Sequence, residues 1–149
     1  MSQPSLSQIQ FKLYVLCFDD YVADAFTTGF VDAYGTRARW QAAVDTLYRL
    51  ALSGLIKSPT FSDDRENDFL LSYIDELSRV DPFPPGGLAD EWIKVDIVAS
   101  GLAMELMTKF DVIQSKGVLS QGLNEALGEL FAASGVPYDV YPVKPIEPS

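Results

Sequence analysis

The chain contains no histidine and a single cysteine, Cys17, and these two facts remove much of the chemistry open to a small protein. Without imidazole there is no Ser-His-Asp triad, no papain-like thiolate pair, no zinc site with imidazole ligands and no Glu-x-x-His di-iron bundle. A lone thiol cannot anchor a sulfur-ligated metal or close an internal bridge. Within the apolar run LYVLCF, Cys17 reads as a small buried hydrophobe. Carboxylates are what remain. Asp20 with Asp24, one helical turn apart, and Asp96 with Glu105 are the pairs that could bind magnesium or carry acid-base chemistry, although such pairs on an acidic chain read first as solvated surface. The run Asp63-Asp64-Arg65-Glu66-Asn67-Asp68 has the acid density of a calcium loop. It lacks the glycine at the sixth position and the glutamate at the twelfth, where Ile74 or Asp75 stands, and so reads as a capped helix start. Gly86-Gly87 is not followed by the lysine and hydroxyl residue of a phosphate-binding loop. No catalytic residue, metal ligand or cofactor site is expected, and the chain is read as a non-enzyme.

Charge is the stronger signal. Eleven basic residues stand against 21 acidic ones, a formal charge of −10. Between Asp63 and Asp111 there are twelve acids and four bases, and Asp19, Asp20, Asp24 and Asp32 form an earlier acidic group. Such a field repels nucleic acid and anionic lipid and attracts a cationic protein. The run Thr36–Ile56 resembles a helix of a winged-helix domain ending in its Ser-Gly-Leu-Ile turn. The acidic segment that follows, with Glu66, Asp68, Asp75 and Glu76, lacks the electropositive face that phosphate contacts demand, so DNA is not the expected partner.

The elements that must position these groups are helical. At 149 residues, 48% of them hydrophobic and 21% charged, one domain can bury a full core without a metal or disulfide. No apolar run reaches membrane-spanning length, and the N-terminus lacks the basic and apolar regions of a signal peptide. A soluble cytoplasmic protein is expected, a compact all-α bundle of about five helices with residues 1–8 loose. The organising segment is Leu88–Phe110, whose apolar residues recur at three- and four-residue steps as in a helix contacted on several sides. Ile93, Val95 and Ile97 also alternate with Lys94 and Asp96, so a strand feeding a helix at Ala99 competes with that reading, and residues 92–98 stay open.

Residues 9–18 are open in the same way, with a helix from about Gln10 to Thr27 preferred. Thr36 is the expected cap of a helix buried through Trp40, Ala43, Val44, Leu47, Leu50 and Ala51 and stopped by Ser53-Gly54. A third helix, capped at Ser62 or Asp63, buries Phe69, Leu70, Tyr73, Ile74 and Leu77. The proline-rich run Asp81–Gly87 then breaks the chain as a hinge or recognition loop. A last helix spans about Val118–Ser134. Residues 136–149, with Pro142, Pro145 and Pro148 at every third position, suit an extended polyproline II arm.

A small, acidic helical domain without a catalytic set resembles the general class of bacterial immunity proteins and antitoxin-like inhibitors. Size, charge and the missing site carry the likeness; no diagnostic motif does. The resemblance implies binding to a basic protein partner such as a nuclease toxin, with carboxylates covering its phosphate subsites or a neighbouring basic surface. The expected contact surface is Asp63, Asp64, Glu66, Asp68, Asp75 and Glu76, with Phe83 and Trp92 as aromatic anchors; the competing assignment places Trp92 in the core and the acids in solvent. The competing function is a non-enzymatic adaptor or homo-oligomeric structural protein, phage proteins included.

Overall fold

The computed structural model describes residues 3–30, 33–59 and 65–148, the side chains of 65–67 apart. The architecture is mostly helical, with five α-helices among the described residues and, beside the expected all-α bundle, a small three-stranded sheet.

Helix α1 spans Leu6–Leu16, four residues earlier than expected, because Ser5 and Gln8 form a reciprocal capping box. The Gln8 amide donates to Ser5 Oγ at 3.1 Å and the Ser5 amide to Gln8 Oε1 at 2.9 Å. Order extends before the helix, since Pro4 is buried and its carbonyl accepts from Tyr138 Oη at 2.9 Å. The helix does not continue to Thr27. After the exposed Phe18-Asp19-Asp20 corner the chain becomes strand β1 (Tyr21–Val22) and a 3-10 helix over Ala23–Thr27 that buries Ala23 and Phe26. Pairing of this β-prone dipeptide with another strand overrides the local helical spacing.

Helix α2, Thr36–Leu52, is the element around which the molecule packs. Its expected apolar face is buried, and so are Gln41, Ala42, Asp45, Thr46 and Arg49 on other sides. The 3-10 helix and helix α3 (Arg65–Leu77) lie against it. Gly35, with φ +84°, takes the cap position, and Thr36 is the first helical residue rather than the cap. At the far end the Leu55 amide reaches back to the Leu50 carbonyl at 2.9 Å and the Gly54 amide to Ala51 at 3.1 Å. This is a Schellman closure that needs the positive φ of Gly54 and turns Leu55 into the core, as expected.

The segment expected to organise the fold is not one helix. Residues Asp90–Trp92 form a 3-10 turn, Asp96–Ala99 form strand β3 and Gly101–Lys109 form helix α4. The period-two alternation holds from Lys94 on: Val95 and Ile97 are buried and Lys94 and Asp96 exposed, whereas Ile93, before the strand, is exposed. Strand β3 is central in the sheet, antiparallel to β1 (Tyr21 opposite Ile97) and to β2, Ile56–Lys57 (Ile56 opposite Ala99). Ser100 separates strand from helix. Its amide donates to the Leu55 carbonyl at 2.9 Å and its hydroxyl to the Gly54 carbonyl at 2.6 Å, while Oγ accepts the Ala103 amide and caps α4.

Residues 110–117 turn, and Ser120 caps α5, Gln121–Ala133. Starting at this cap, the helix leaves Leu119 outside, 38% exposed instead of in the core. Gln10 ties α1 to it: Gln10 Nε2 donates to Ser120 O at 2.9 Å and Asn124 Oδ1 at 2.7 Å, and Gln10 Oε1 accepts the Ser120 amide at 2.9 Å. A buried amide with three partners fixes α1 in rotation, which decides what the helix shows to solvent.

Residues 136–148 form neither helix nor strand and are held against the body rather than standing off it. Gln41, Asp45 and Arg49, successive turns of α2, bond their backbone. Gln41 takes the Lys144 carbonyl and the Ile146 amide, and Asp45 takes the Val143 amide. Arg49 takes the carbonyls of Val136, Pro137 and Val140.

Candidate partner-binding surface

Of the eight residues expected to form the contact surface, Asp63 and Asp64 lie outside the described residues, as does the side chain of Glu66. Asp68 is exposed. Asp75 and Glu76 are engaged by the protein's own cations. Asp75 accepts from Arg79 at 2.7 Å and Lys144 at 2.6 Å, which hold its carboxyl below the usual range. Glu76 pairs with Lys94 at 3.1 Å. Phe83 lies under the Arg39 guanidinium, 4.4 Å from its ring centroid, and the Asp81 side chain accepts its amide at 2.8 Å. The ring therefore already has a partner. Trp92 is 0% exposed and donates to the Val80 carbonyl at 2.7 Å, so it is a core residue and offers nothing to a partner. Trp92 is thus out of reach of a partner, while Asp68, Asp75 and Glu76 keep solvent-exposed carboxylates on α3.

Another face has the features that were sought. On α1 the buried set is Ile9, Gln10, Leu13 and Leu16, so the three- and seven-residue steps to Phe11, Tyr14 and Phe18 fall on the outer side. Phe11 is 50% and Phe18 62% exposed. Tyr14 sits between them, with ring centroids 6.4 Å from Phe11 and 5.1 Å, edge to face, from Phe18. Tyr21 extends the row, and Asp19 and Asp20 are exposed beside it. Tyr14 is immobilised from behind by Gly117, where a Cβ would come within 2.8 Å of its ring.

The row borders a chain of shallow depressions that share lining residues. One is lined by Phe18, Asp19, Asp20, Pro59 and Val98, with Met104 at its far side. Met104 also lines the next, together with Glu105 and Lys109. Leu16 joins the first of these to a half-enclosed cavity under Phe11 and Tyr21. Exposed carboxylates of Asp19, Asp20 and Glu105 line these depressions. Cys17 lines the first of them. Burial pushes its thiol up to about 11, so it stays protonated and is no nucleophile.

In the sequence this face is hidden because Phe18 and Tyr21 fall inside the span Gln10–Thr27 expected as one helix. A usable signal was present. Ile9, Leu13 and Leu16 already complete one buried face, which leaves Phe11 and Phe18 on the other.

Among the described residues no three carboxylate or thiol side chains gather as a metal ion would require, and no helix is long and apolar enough to cross a membrane. Compared with protein-family models, with characterised proteins and with solved structures, the chain finds no match in any of the three.

Proposed function

We propose that this protein is a non-enzymatic acidic inhibitor, similar in kind to bacterial immunity proteins, that occludes a basic partner protein such as a nuclease toxin. The observation that carries the reading is the pair of exposed rings Phe11 and Phe18, bridged by the half-buried Tyr14 and set beside Asp19 and Asp20, on a chain of net charge −10. Contiguous exposed aromatics rimmed by charge are the composition of a protein interface. The division of labour follows from physics. The acidic field speeds and orients encounter with a cationic surface, while the aromatic rings, once desolvated, hold the complex. Asp19, Asp20 and Glu105 then stand where nucleic-acid phosphates would bind such a partner. Asp68, with Asp63, Asp64 and Glu66, adds to the long-range field. A cytoplasmic setting suits the free thiol of Cys17.

The test is co-expression with the product of the neighbouring reading frame, followed by association kinetics on the purified pair. The expected result is relief of toxicity, a complex, and an association rate that falls by about tenfold or more on raising salt while dissociation changes little. No relief together with no complex overturns the reading. The second reading, a homo-oligomeric or adaptor protein, rests on the further exposed apolar residues Leu102, Val118 and Leu119. A discrete large oligomer in light scattering of the isolated chain favours it.

A further inference from the structure

Lys12, on α1, is held among aromatic rings. Its ammonium sits 5.8 Å from the Phe26 ring centroid and 5.5 Å from that of Phe30. Nζ donates to the Ala25 carbonyl at 2.6 Å. Among the described residues no other acceptor or carboxylate pairs with it, so two of its three N–H donors have no partner there. Burial lowers the ammonium pKa, the sign that water compensates it incompletely. Gly29 makes room for this position: a Cβ there would come within 3.1 Å of Nζ.

Lys12 lines two hollows. One is a half-enclosed cavity of ≈ 210 Å³ whose other walls include Phe11, Val15, Leu16, Tyr21, Ala25 and Phe26. The other, a depression of ≈ 270 Å³, is more open and is shared with Phe11, Gly29 and Leu119. Every other member of the cavity wall apart from Thr28 is apolar or aromatic, and none is acidic. A cavity of about 150 Å³ admits a benzene ring. The present one therefore accommodates a ring or branched chain plus a short polar arm.

We infer that this cavity binds a small monocarboxylic acid with an apolar body, the body packed against Phe11, Val15 and Phe26 and the carboxylate held by Lys12. The chemistry selects against the alternatives. A cationic ligand would meet the ammonium, and a neutral one would leave its two free donors unmatched in a partly dry site, where an unmade charged hydrogen bond is costly. A phosphate or polyanion is disfavoured by the single cation and by the negative field of the rest of the chain. The site does not depend on the inhibitor reading, although it opens on the same face.

The experiment uses the whole protein without any partner, so its outcome is separate from that of the co-expression test. Titrate 3-phenylpropionate, 3-phenylpropan-1-ol and 3-phenylpropylamine by calorimetry, and follow the Lys12 ammonium by nitrogen NMR. The expected result is saturable binding of the acid about tenfold or more tighter than the alcohol or the amine, with the Lys12 resonance moving only with the acid. Lys12→Met should remove that preference while leaving the weak binding of the alcohol within about twofold. Val15→Phe, which fills the cavity without touching the ammonium, should abolish acid binding. Equal binding of all three probes, acid binding that leaves the Lys12 resonance unmoved, or no acid binding at millimolar concentration overturns the inference. The NMR arm uses the wild-type protein, so it stands even if a variant fails to fold.

Discussion

Arg49 and Asp45, one turn apart on α2, form an ion pair at 2.9 Å with both side chains almost wholly excluded from solvent, at 1% and 2% exposure. The pair is directed at main chain rather than at a site. Arg49 collects carbonyls of residues 136–140 and Asp45 collects the Val143 amide at 2.5 Å, so two charges in the middle of the helical core recognise the C-terminal segment by its backbone. Breaking such a pair leaves one charge buried without its partner. Asp45→Ala is expected to lower the unfolding free energy by about 3–5 kcal/mol. Arg49→Lys should recover little of what Arg49→Ala loses, because an ammonium cannot present the forked donors that reach several acceptors at once. Urea denaturation of the three variants checks this; a loss under about 1 kcal/mol for Asp45→Ala contradicts it.

Acid should loosen only one end of that segment. Lys144 and Arg79 hold the Asp75 carboxyl below its ordinary value, so the contribution of this contact is complete above the usual carboxylate range, about 3.9, and is lost as pH falls through the lower folded value. The contribution is modest because the pair is exposed to solvent. Asp45 has the opposite sign. Burial, against the pull of Arg49 and the Val143 amide, pushes its carboxyl up, and the associated stability is lost as pH rises through that value. The protection factors of the Ile146 and Glu147 amides, exchange rates corrected for the intrinsic pH dependence, should therefore fall below about pH 4, while the α2 amides stay protected. Equal loss of protection at both places would be inconsistent with this assignment.

Trp92→Phe should behave as a core change and nothing more. Removing the indole N–H leaves the Val80 carbonyl without its 2.7 Å donor, and the expected cost is about 1–3 kcal/mol of stability. Affinity for a basic partner, measured per folded molecule, should not move. A selective loss of affinity at full stability would restore Trp92 as an anchor.

Gly117 supports the aromatic row. Its φ is +89°, and a methyl group there would meet the Tyr14 ring at 2.8 Å. Gly117→Ala should lower stability by more than about 1 kcal/mol through the backbone alone. It should also shift the resonances of Phe11 and Phe18, whose rings pack against Tyr14. A neutral, spectrally silent substitution would show that the row is not seated on this glycine.

The helices were legible where local chemistry and tertiary packing agree. Helix α2, with its three-and-four spacing and Ser53-Gly54 stop, needed no partner to be recognised, and neither did the Gly135 stop of α5, where the Val136 amide closes on Phe131 at 2.9 Å. The sheet was not legible as a sheet. Strands β1 and β2 have two residues each, too few for an alternation to register, and they exist because β3 pairs with both. The candidate surface was hidden for a related reason. A helical stripe shows that residues share a face but not which face meets the core, and on α1 that choice is made by Gln10 reaching Ser120 and Asn124 more than a hundred residues away. Charge had the reverse fault. The acids of α3 were visible, but the bases that partly consume them, Lys94 and Lys144, come from distant segments.

The most direct test places a photoreactive benzophenone at position 18 and, separately, at position 68 in the full chain, and identifies what each captures in the cells that make it. The account expects position 18 to crosslink a single basic protein in stoichiometric yield. Capture should be lost when Phe11→Ala is combined with Asp19→Lys and Asp20→Lys, variants expected to change stability by no more than about 0.5 kcal/mol each. Position 68 should give little or none. Capture of the same basic protein from position 68 alone, or of only a second copy of this chain from position 18, would contradict it.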